Sequence, residues 1–300
     1  MSSFLQKLFR KPARETVQEP GNKSIDDSMA PASVMEPVQK GFHPAQFVTG
    51  CGHSIGKLRD HNEDALFTLS TTLLSDSDAL PFGLYLVADG MGGHQHGEMA
   101  SGVAIRAMAS HVIGQLYSPL FSLSPVSLEQ SLQEIMETGI QNAHRAILQQ
   151  APGGGSTLTG VLALGEQLTI AHVGDSRAYL VHEGGRLELL TRDHSLVKRL
   201  VELGQITTDE AAVHPQRNVL YRALGQGEPI DAEITTTPLP PSGHLLICSD
   251  GLWGLVPEDE IYRIVTSSPS PAEACQRLVE AANDAGGPDN ITAILVRVPG

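Results

Sequence analysis

The chain has 300 residues and a formal net charge of −14, with 41% hydrophobic and 18% charged residues. That balance predicts a folded globular protein, and the acidic charge argues against nucleic-acid binding, which needs a basic face to displace counterions from phosphates. The sequence shows no run of about 18 apolar residues, no secretory signal and no CxxC pair among its three cysteines, so we expect a cytoplasmic protein without a transmembrane span or disulfides.

Residues 1–45 differ in composition from the rest of the chain. Prolines recur there among Ser, Glu and Gln without a sustained apolar period, which predicts a flexible N-terminal tail. Its opening, SSFLQKLFRKPAR, places apolar and basic side chains on one helical face. Two interpretations stay open: an anchor for a partner or an anionic surface, or a chance amphipathic turn. The folded domain is then expected over 46–300.

The next part of the chain alternates between strand and helix patterns. FVTGCGHS, DALFTLS and FGLYLVAD are strand-like, and helical spacing follows near 100–108 and 128–147 around a predicted loop, YSPLFSLSPVS. Further strand-like runs are STLTGVLALG, QLTIAHVGD, RAYLVHEGG and RLELLT, joined by Gly-rich turns that are typical of an antiparallel meander.

A polar, mostly helical segment at 193–218 interrupts the sheet pattern and is interpreted as a surface flap. Strands EITTTPL and HLLICSD follow, then helices near 258–266 and 271–285, and a closing strand, NITAILVRV. Strands in runs and helices in pairs predict an α+β fold. We expect a four-layer α-β-β-α sandwich of two mainly antiparallel sheets flanked by helix pairs.

Two apolar strands run directly into Asp-Gly, in VADGMGGH at 87–94 and HLLICSDGLWG at 244–254. Three more acid-bearing corners occur in RDHNED, VGDSR and GGPDN. Each acid taken alone is typical of an ordinary turn, but every corner lies where a strand begins or ends, so the acids are expected to meet at one rim of the sandwich. The candidate metal ligands are Glu63, Asp64, Asp89, Asp175, Asp250 and Asp289.

Clustered carboxylates raise one another's pKa and are relieved by bound cations. Ligands that are all oxygen favour hard ions such as Mg²⁺ or Mn²⁺, and Gly90 allows its carbonyl to serve as a further ligand. Two such ions, about 4 Å apart, share a bridging water and align it for in-line attack on phosphorus. Arg59 would supply a bidentate fork for the phosphate.

The motifs RDHNED, DGMGGHQHGE, GGST, VGDSRAYL, TRDHS, HPQRNVLYRALG, CSDGLW and GPDNIT occur in order over residues 46–298. They resemble those of the PPM family, the metal-dependent type 2C serine/threonine protein phosphatases, and of its bacterial members in particular. The resemblance implies that Asp89 bridges two Mn²⁺ or Mg²⁺ ions. It places Glu63 and the Gly90 carbonyl on one ion, and Asp250 and Asp289 on the other.

The same resemblance implies that Asp64 holds a metal-bound water, that Arg59 binds phosphate, and that Asp175 with Asp250 takes a third, weaker ion. It also implies a flap over 193–225 that influences substrate choice, and a monomer. Many eukaryotic relatives have a histidine, the proposed proton donor, where this chain has Met91. The proton donor is therefore unassigned here, with a metal-bound water, an ordinary solvent molecule and His94 as candidates.

Three functions remain in view. The first is a phosphatase that hydrolyses phosphoserine and phosphothreonine in proteins by direct attack of a metal-bridging water and opposes a serine/threonine kinase. The second is a catalytically silent, phosphatase-like signalling or scaffold module, against which the intact Arg59, Asp89, Asp250 and Asp289 speak. The third is another two-metal hydrolase such as a nuclease, which the net charge disfavours.

Overall fold

The computed structural model of the protein describes residues 45–75, 78–92, 95–120, 130–227 and 229–299. The predicted tail over 1–45 therefore lies, except for its last residue, outside the described residues. No helix within those ranges is long and apolar enough to cross a membrane.

The strands follow the predicted order along the chain. They are β1 (Val48–Ser54), β2 (Asp64–Ser75), β3 (Asp78–Met91), β4 (Gly155–Ser156), β5 (Leu158–Leu164), β6 (Gln167–Val173), β7 (Arg177–His182), β8 (Arg186–Leu189), β9 (Glu233–Pro238), β10 (His244–Cys248) and β11 (Ile291–Arg297). The first sheet has the order β1-β11-β10-β7-β8, and the second has β2-β3-β5-β6-β9. Strand pairings in both sheets are antiparallel, as the sequence predicts.

The helices fall into two pairs outside the sheets and a group of short ones. They are α1 (Gln95–Val112), α2 (Ser118–Leu120), α3 (Leu132–Gln150), α4 (Leu196–Glu202), α5 (Thr208–Ala212), α6 (Asp250–Trp253), α7 (Glu258–Ser267) and α8 (Pro271–Asp284). A capping box fixes the start of α3: the Ser131 hydroxyl accepts from the Glu134 backbone N–H, and the Glu134 carboxylate accepts from that of Ser131.

Three separate apolar clusters show how the layers pack. Side chains such as Leu86, Met108 and Ile140 join the second sheet to α1 and α3. A second cluster, with Tyr85 and Ile247, fills the space between the sheets. A third joins the first sheet to α7 and α8. Each fully buried side chain of this size contributes about 1.5–3 kcal/mol. The predicted four-layer α-β-β-α sandwich is confirmed.

Strand β3 explains why the motif VADGMGGH is preceded by an unbroken apolar run. Residues 80–88 are all buried, because Leu84 and Leu86 face the helix layer while Tyr85 and Val87 face the other sheet. A strand covered on both faces loses the alternation of a half-exposed strand. The far end of β3, at Asp89 and Gly90, lies at one end of the sandwich.

The prediction that YSPLFSLSPVS forms a loop is partly wrong. A π-helical turn over Ile113–Tyr117 prolongs α1, and α2 follows it directly. Leu116, Tyr117 and Leu120 are buried in the core, so apolar packing continues the helical path despite the Ser and Pro content, and Pro119 lies in the first turn of α2, where proline is tolerated. Residues 121–129, including part of the predicted second helix, lie outside the described residues.

The segment 193–225, predicted to be a flap, contains α4 and α5, whose first turns are capped by the hydroxyls of Ser195 and Thr207. Its two ends are joined by a hydrogen bond from the Tyr221 N–H to the His194 carbonyl. At its base, the His194 N–H donates to the Gly174 carbonyl and His194 Nδ1 accepts from the Gly174 N–H. The flap is therefore anchored beside Asp175.

Candidate metal and phosphate site

The acid-bearing corners lie at one end of the sandwich because of the strand directions. Asp64 begins β2 and pairs in register with Asp89 near the end of β3. In the first sheet, Asp250 follows β10 and Asp289 precedes β11, and these two strands are antiparallel neighbours. Asp175 lies in the connection from β6 to β7, where the chain passes from the second sheet to the first. Both sheets thus contribute acids to the same edge.

Asp89 lies at the electrostatic centre of this cluster. Its backbone is held by Thr157, whose hydroxyl accepts from the Asp89 N–H at 2.9 Å and whose N–H donates to the Asp89 carbonyl at 2.9 Å. Desolvation raises the pKa of its carboxyl group well above the ordinary value, and Asp64, Asp250, Asp175 and Asp289 raise it further. A carboxyl group with four acidic neighbours is the natural centre for bound cations.

The other acids show the same electrostatic conflict. Burial, with Asp289 and Asp64, raises the pKa of Asp250 to about 7, although a hydrogen bond with Asp89 and the charge of Arg59 oppose the rise. Burial likewise raises the pKa of Asp64 to about 6. The pKa of Asp175 is raised well above its ordinary value by burial first and Asp250 second.

Glycines allow the backbone near Glu63 to close tightly. The Gly90 N–H donates to the Glu63 carbonyl at 3.0 Å, and a Cβ at Gly90 would overlap the Gly97 carbonyl. The Glu63 carboxylate in turn lies against Gly97, where a Cβ would come within 2.6 Å of Oε2. Gly97 belongs to the first turn of α1, whose N-terminal dipole favours an anion. The Gly90 backbone and the Glu63 carboxylate are therefore neighbours.

Arg59 brings the positive charge of the site. Its Nη2 donates to Asp289 Oδ2 at 2.8 Å, and its side chain is 46% exposed. Arg59 also opposes the rise in the pKa of Asp250. The guanidinium group thus lies at the solvent-facing rim of the acids.

Asp175 is held by a stack of side chains that the sequence motifs do not reveal. Trp253 Nε1 donates to the Asp175 carbonyl at 3.0 Å, and the Arg177 guanidinium lies 3.5 Å from the centre of the Trp253 ring. Arg177 also binds both carboxylate oxygens of Asp193, at 2.9 and 2.6 Å. Trp253 is thus a packing residue at the rim, and Arg177 joins it to the base of the flap.

Hydroxyl and amide side chains complete the site, and sequence reasoning missed their roles. Ser249 Oγ and Thr292 Oγ1 both donate to Asp64 Oδ2, at 2.8 and 2.6 Å. The Ser176 hydroxyl is buried and forms a hydrogen bond with that of Thr157 at 2.8 Å. The available signal was the adjacency of hydroxyl residues to acids in CSDGLW, VGDSR and DNIT.

The proton donor stays unassigned. Met91 ends β3 and carries no exchangeable proton. His94 lies outside the described residues.

The donor chemistry fits a hard divalent cation. Within the described ranges, Asp64 Oδ1 and Asp250 Oδ1 are buried carboxylate oxygens without a hydrogen-bond partner, and carboxylate and carbonyl oxygens suit Mg²⁺ or Mn²⁺. No group of three His, Cys, Asp or Glu side chains among the described residues is already arranged to hold a metal ion. The acids nevertheless lie close enough to raise one another's pKa, so they border a common space.

Comparison with known proteins decides the family. The family model of protein phosphatase 2C matches residues 49–291. The chain belongs to the protein phosphatase 2C family. The predicted activity, metal-dependent dephosphorylation of serine/threonine phosphoproteins with Mn²⁺ or Mg²⁺ as cofactor, is thereby confirmed, and the silent scaffold is not favoured.

Bacterial members of the protein phosphatase 2C family resemble the chain over most of their length. The serine/threonine phosphatase stp of Listeria monocytogenes is 35% identical over 243 residues, which cover 80% of this chain and 92% of the relative. Protein phosphatase PhpP of Streptococcus pneumoniae is 36% identical over 219 residues, or 71% of this chain and 85% of the relative.

Solved structures of protein phosphatase 2C relatives share the fold. The Mycobacterium tuberculosis serine/threonine phosphatase PstP/Ppp has a TM-score of 0.70 and 31% identity, with 85% of this chain and 100% of that chain covered. The catalytic domain of PstP in complex with two manganese ions has a TM-score of 0.66 and 30% identity, with the same coverage.

Proposed function

We propose that this protein phosphatase removes phosphate from phosphoserine and phosphothreonine side chains at the acid-lined end of its sandwich. The observation that carries the proposal is the convergence of acids from both sheets on Asp89, beside the guanidinium group of Arg59. Such a cluster would bind cations and phosphate together, whereas acids in ordinary turns would not need to converge on one another.

Each acid has a position that suits a distinct role in holding metal. Asp89, whose carboxyl group lies near that of Asp250 and which pairs in register with Asp64, would bridge two ions. Glu63 and the Gly90 carbonyl, which are neighbours across a tight backbone contact, would serve one ion. Asp250 and Asp289 would serve the other. Asp175, with Asp250 beside it, would hold a third, weaker ion.

The chain's own groups prepare the reaction around these ions. Mn²⁺ or Mg²⁺ held by these acids would supply a coordinated water of lowered pKa for in-line attack on phosphorus. Arg59 would bind two oxygens of the phosphate and fix its orientation. Asp64 is held through Oδ2 by two hydroxyls, so Oδ1 is left to accept a hydrogen bond from the attacking water.

The cellular setting is part of the same proposal. The enzyme would act in the cytoplasm as a monomer, in signal transduction opposed to a serine/threonine kinase. Its phosphatase domain would span 46–300, with 1–45 as a flexible tail and 193–225 as a flap that influences substrate choice. The anchoring of the flap beside Asp175 supports that last role.

A hydrolysis assay tests the proposal. We expect the protein to hydrolyse an aryl phosphate and a phosphothreonine peptide at neutral pH with Mn²⁺ or Mg²⁺, and EDTA to stop both reactions. A matched control is Asp259→Asn, which changes an exposed acid on α7 and should keep full activity. Absence of turnover in the presence of saturating metal would contradict the proposal and revive the silent module.

A further inference from the structure

Arg59 lies on a segment with no regular structure. Residues 55–63, between β1 and β2, form neither helix nor strand, and Leu58, Arg59 and Asp60 are exposed. This segment, the phosphate loop hereafter, carries the proposed phosphate-binding arginine in its middle and the proposed metal ligand Glu63 at its end. An exposed segment of this kind needs bracing from outside if it is to hold a guanidinium group within a fraction of an ångström.

One buried side chain supplies that bracing. Asn290 Nδ2 donates to the Ile55 carbonyl at 2.9 Å and to the His61 carbonyl at 2.8 Å. Asn290 Oδ1 accepts from the Glu63 N–H at 2.8 Å. The residue is only 4% exposed. Both amide hydrogens and the amide oxygen of Asn290 therefore form hydrogen bonds with the backbone at the two ends of the phosphate loop.

Asn290 also links the backbone of the phosphate loop to the acid that contacts Arg59. The Asn290 N–H donates to Asp289 Oδ1 at 2.8 Å, while Asp289 Oδ2 accepts from Arg59 Nη2 at 2.8 Å. One dipeptide thus fixes the ends of the loop through its amide and the guanidinium group through its carboxylate. The distance between Arg59 and the acids is set by residues adjacent in the chain.

We propose that Asn290 is a positioning residue for phosphate binding: it sets the conformation of the phosphate loop and thereby aims Arg59 and Glu63 at the acids. This role rests on the proposed function of Arg59 and Glu63. Asparagine suits it because aspartate could not donate to two carbonyls, and alanine would leave buried backbone groups unpaired, at about 1–3 kcal/mol each.

A double-mutant cycle separates positioning from mere stability. Asn290→Ala should lower kcat/KM for a phosphothreonine peptide between about 10- and 100-fold, the range expected for a misplaced catalytic group. The same change in an Arg59→Ala background should cost at least about threefold less than in wild type, because the Arg59 part of the positioning is already gone and only Glu63 remains to be misplaced. Equal losses in both backgrounds would overturn the proposal.

Limited proteolysis in EDTA gives a readout independent of catalysis. Lys57 and Arg59 are tryptic sites on the phosphate loop, so Asn290→Ala should speed cleavage after both at least about tenfold by freeing the loop. Asn142→Ala is the matched control, since it removes amide hydrogen bonds to His111 and Arg145 on the helix layer. It should leave both kcat/KM and loop cleavage unchanged.

The outcomes are distinct. Suppose that wild type and Asn142→Ala hydrolyse the peptide, and that trypsin cleaves the phosphate loop of Asn290→Ala no faster than that of either protein. Positioning by Asn290 is then refuted, and the proposed function stands. If none hydrolyses the peptide, the proposed function fails, and the cleavage rates still decide whether Asn290 holds the loop. Should the alanine variant not fold, Asn290→Asp keeps the side-chain shape and the acceptor for Glu63, and the same predictions apply.

Discussion

The two Asp-Gly corners share a local sequence but differ in backbone structure. Asp89 and Gly90 remain inside β3, which continues to Met91. Asp250 and Gly251 instead begin the short helix α6 directly after β10. The common dipeptide therefore does not encode a common turn.

What the two corners share is a close backbone approach. A Cβ at Gly90 would overlap the Gly97 carbonyl, and one at Gly251 would overlap the Asn290 carbonyl. Neither glycine has the positive φ of a left-handed turn. In both corners the glycine lets a neighbouring segment press against the acid, Glu63 and α1 in one case and the Asp289-Asn290 dipeptide in the other.

Replacing the acid of either corner should cause the largest loss of activity, and the two losses should be similar because both acids would hold metal. Asp89→Asn should lower kcat/KM at least about 1,000-fold, since a catalytic metal supplies several kcal/mol and each ~1.4 kcal/mol is tenfold. Asp250→Asn should cause a similar loss, and both variants should bind fewer Mn²⁺ ions by calorimetry. Full activity in either variant would show that the corners are turns and nothing more.

The glycines should be the next most sensitive positions. Gly90→Ala and Gly251→Ala each force a backbone carbonyl to move, and we expect kcat/KM to fall roughly 100-fold, as for a misplacement of about 1 Å. Gly184→Ala, where an added Cβ meets no atom within 4 Å, is the control and should behave as wild type. If Gly90→Ala and Gly251→Ala both match that control in steady-state assays, the close-approach account is wrong.

Asp175 offers a smaller effect that distinguishes its ion from those at the two corners. Asp175→Asn should reduce activity only several-fold at saturating Mn²⁺, because Asp89 and its neighbours remain. Trp253, the only tryptophan of the chain, donates to the Asp175 carbonyl, so its fluorescence should be quenched by Mn²⁺ bound there. In a Mn²⁺ titration, we expect the low-affinity phase of fluorescence quenching to vanish in Asp175→Asn. An unchanged titration would show that Asp175 is not a metal ligand.

The pH dependence of the metal-free protein gives the smallest predicted effect. The pKa of Asp250 is raised to about 7 and that of Asp64 to about 6, against an ordinary value of 3.8. Between those limits the folded state binds more protons than the unfolded state, so the free energy of unfolding should fall as pH rises from about 4 to about 7.

Asp250→Asn tests that sign directly. In EDTA at pH 7.5 its Tm should exceed that of wild type by a few degrees, since 1 kcal/mol shifts the Tm of such a domain by roughly 2–4 °C. At pH 4 the two proteins should melt together. Added Mn²⁺ should stabilise wild type far more and reverse the order. A wild-type Tm in EDTA that rises steadily from pH 4 to 7 would contradict the account.

Much of the fold follows from the sequence because its strands are strongly patterned. The buried run of β3 and the meander of β5 to β8 are visible as apolar runs separated by glycines. The helical continuation through Leu116 to Leu120 was not predictable from composition, because tertiary burial outweighs the Ser and Pro content there.

The acids of the site were predictable as a group, but their supports were not. Asn290 contacts Glu63 across 227 positions of sequence, and Thr292 contacts Asp64 across 228. Such contacts depend on which residue of β11 lies opposite β1 and β10, and a slip of one residue would turn every side chain to the other face. The register of β11 against its two neighbours cannot be predicted from a single sequence.

Anomalous diffraction from crystals soaked in Mn²⁺ tests the central claim most directly. The account predicts two strong manganese peaks at the acid-lined end of the sandwich, both within about 2.0–2.6 Å of Asp89 carboxylate oxygens, with Asp250 and Asp289 on one ion and Glu63 and the Gly90 carbonyl on the other. Absence of manganese at Asp89, with peaks elsewhere on the molecule, would contradict it.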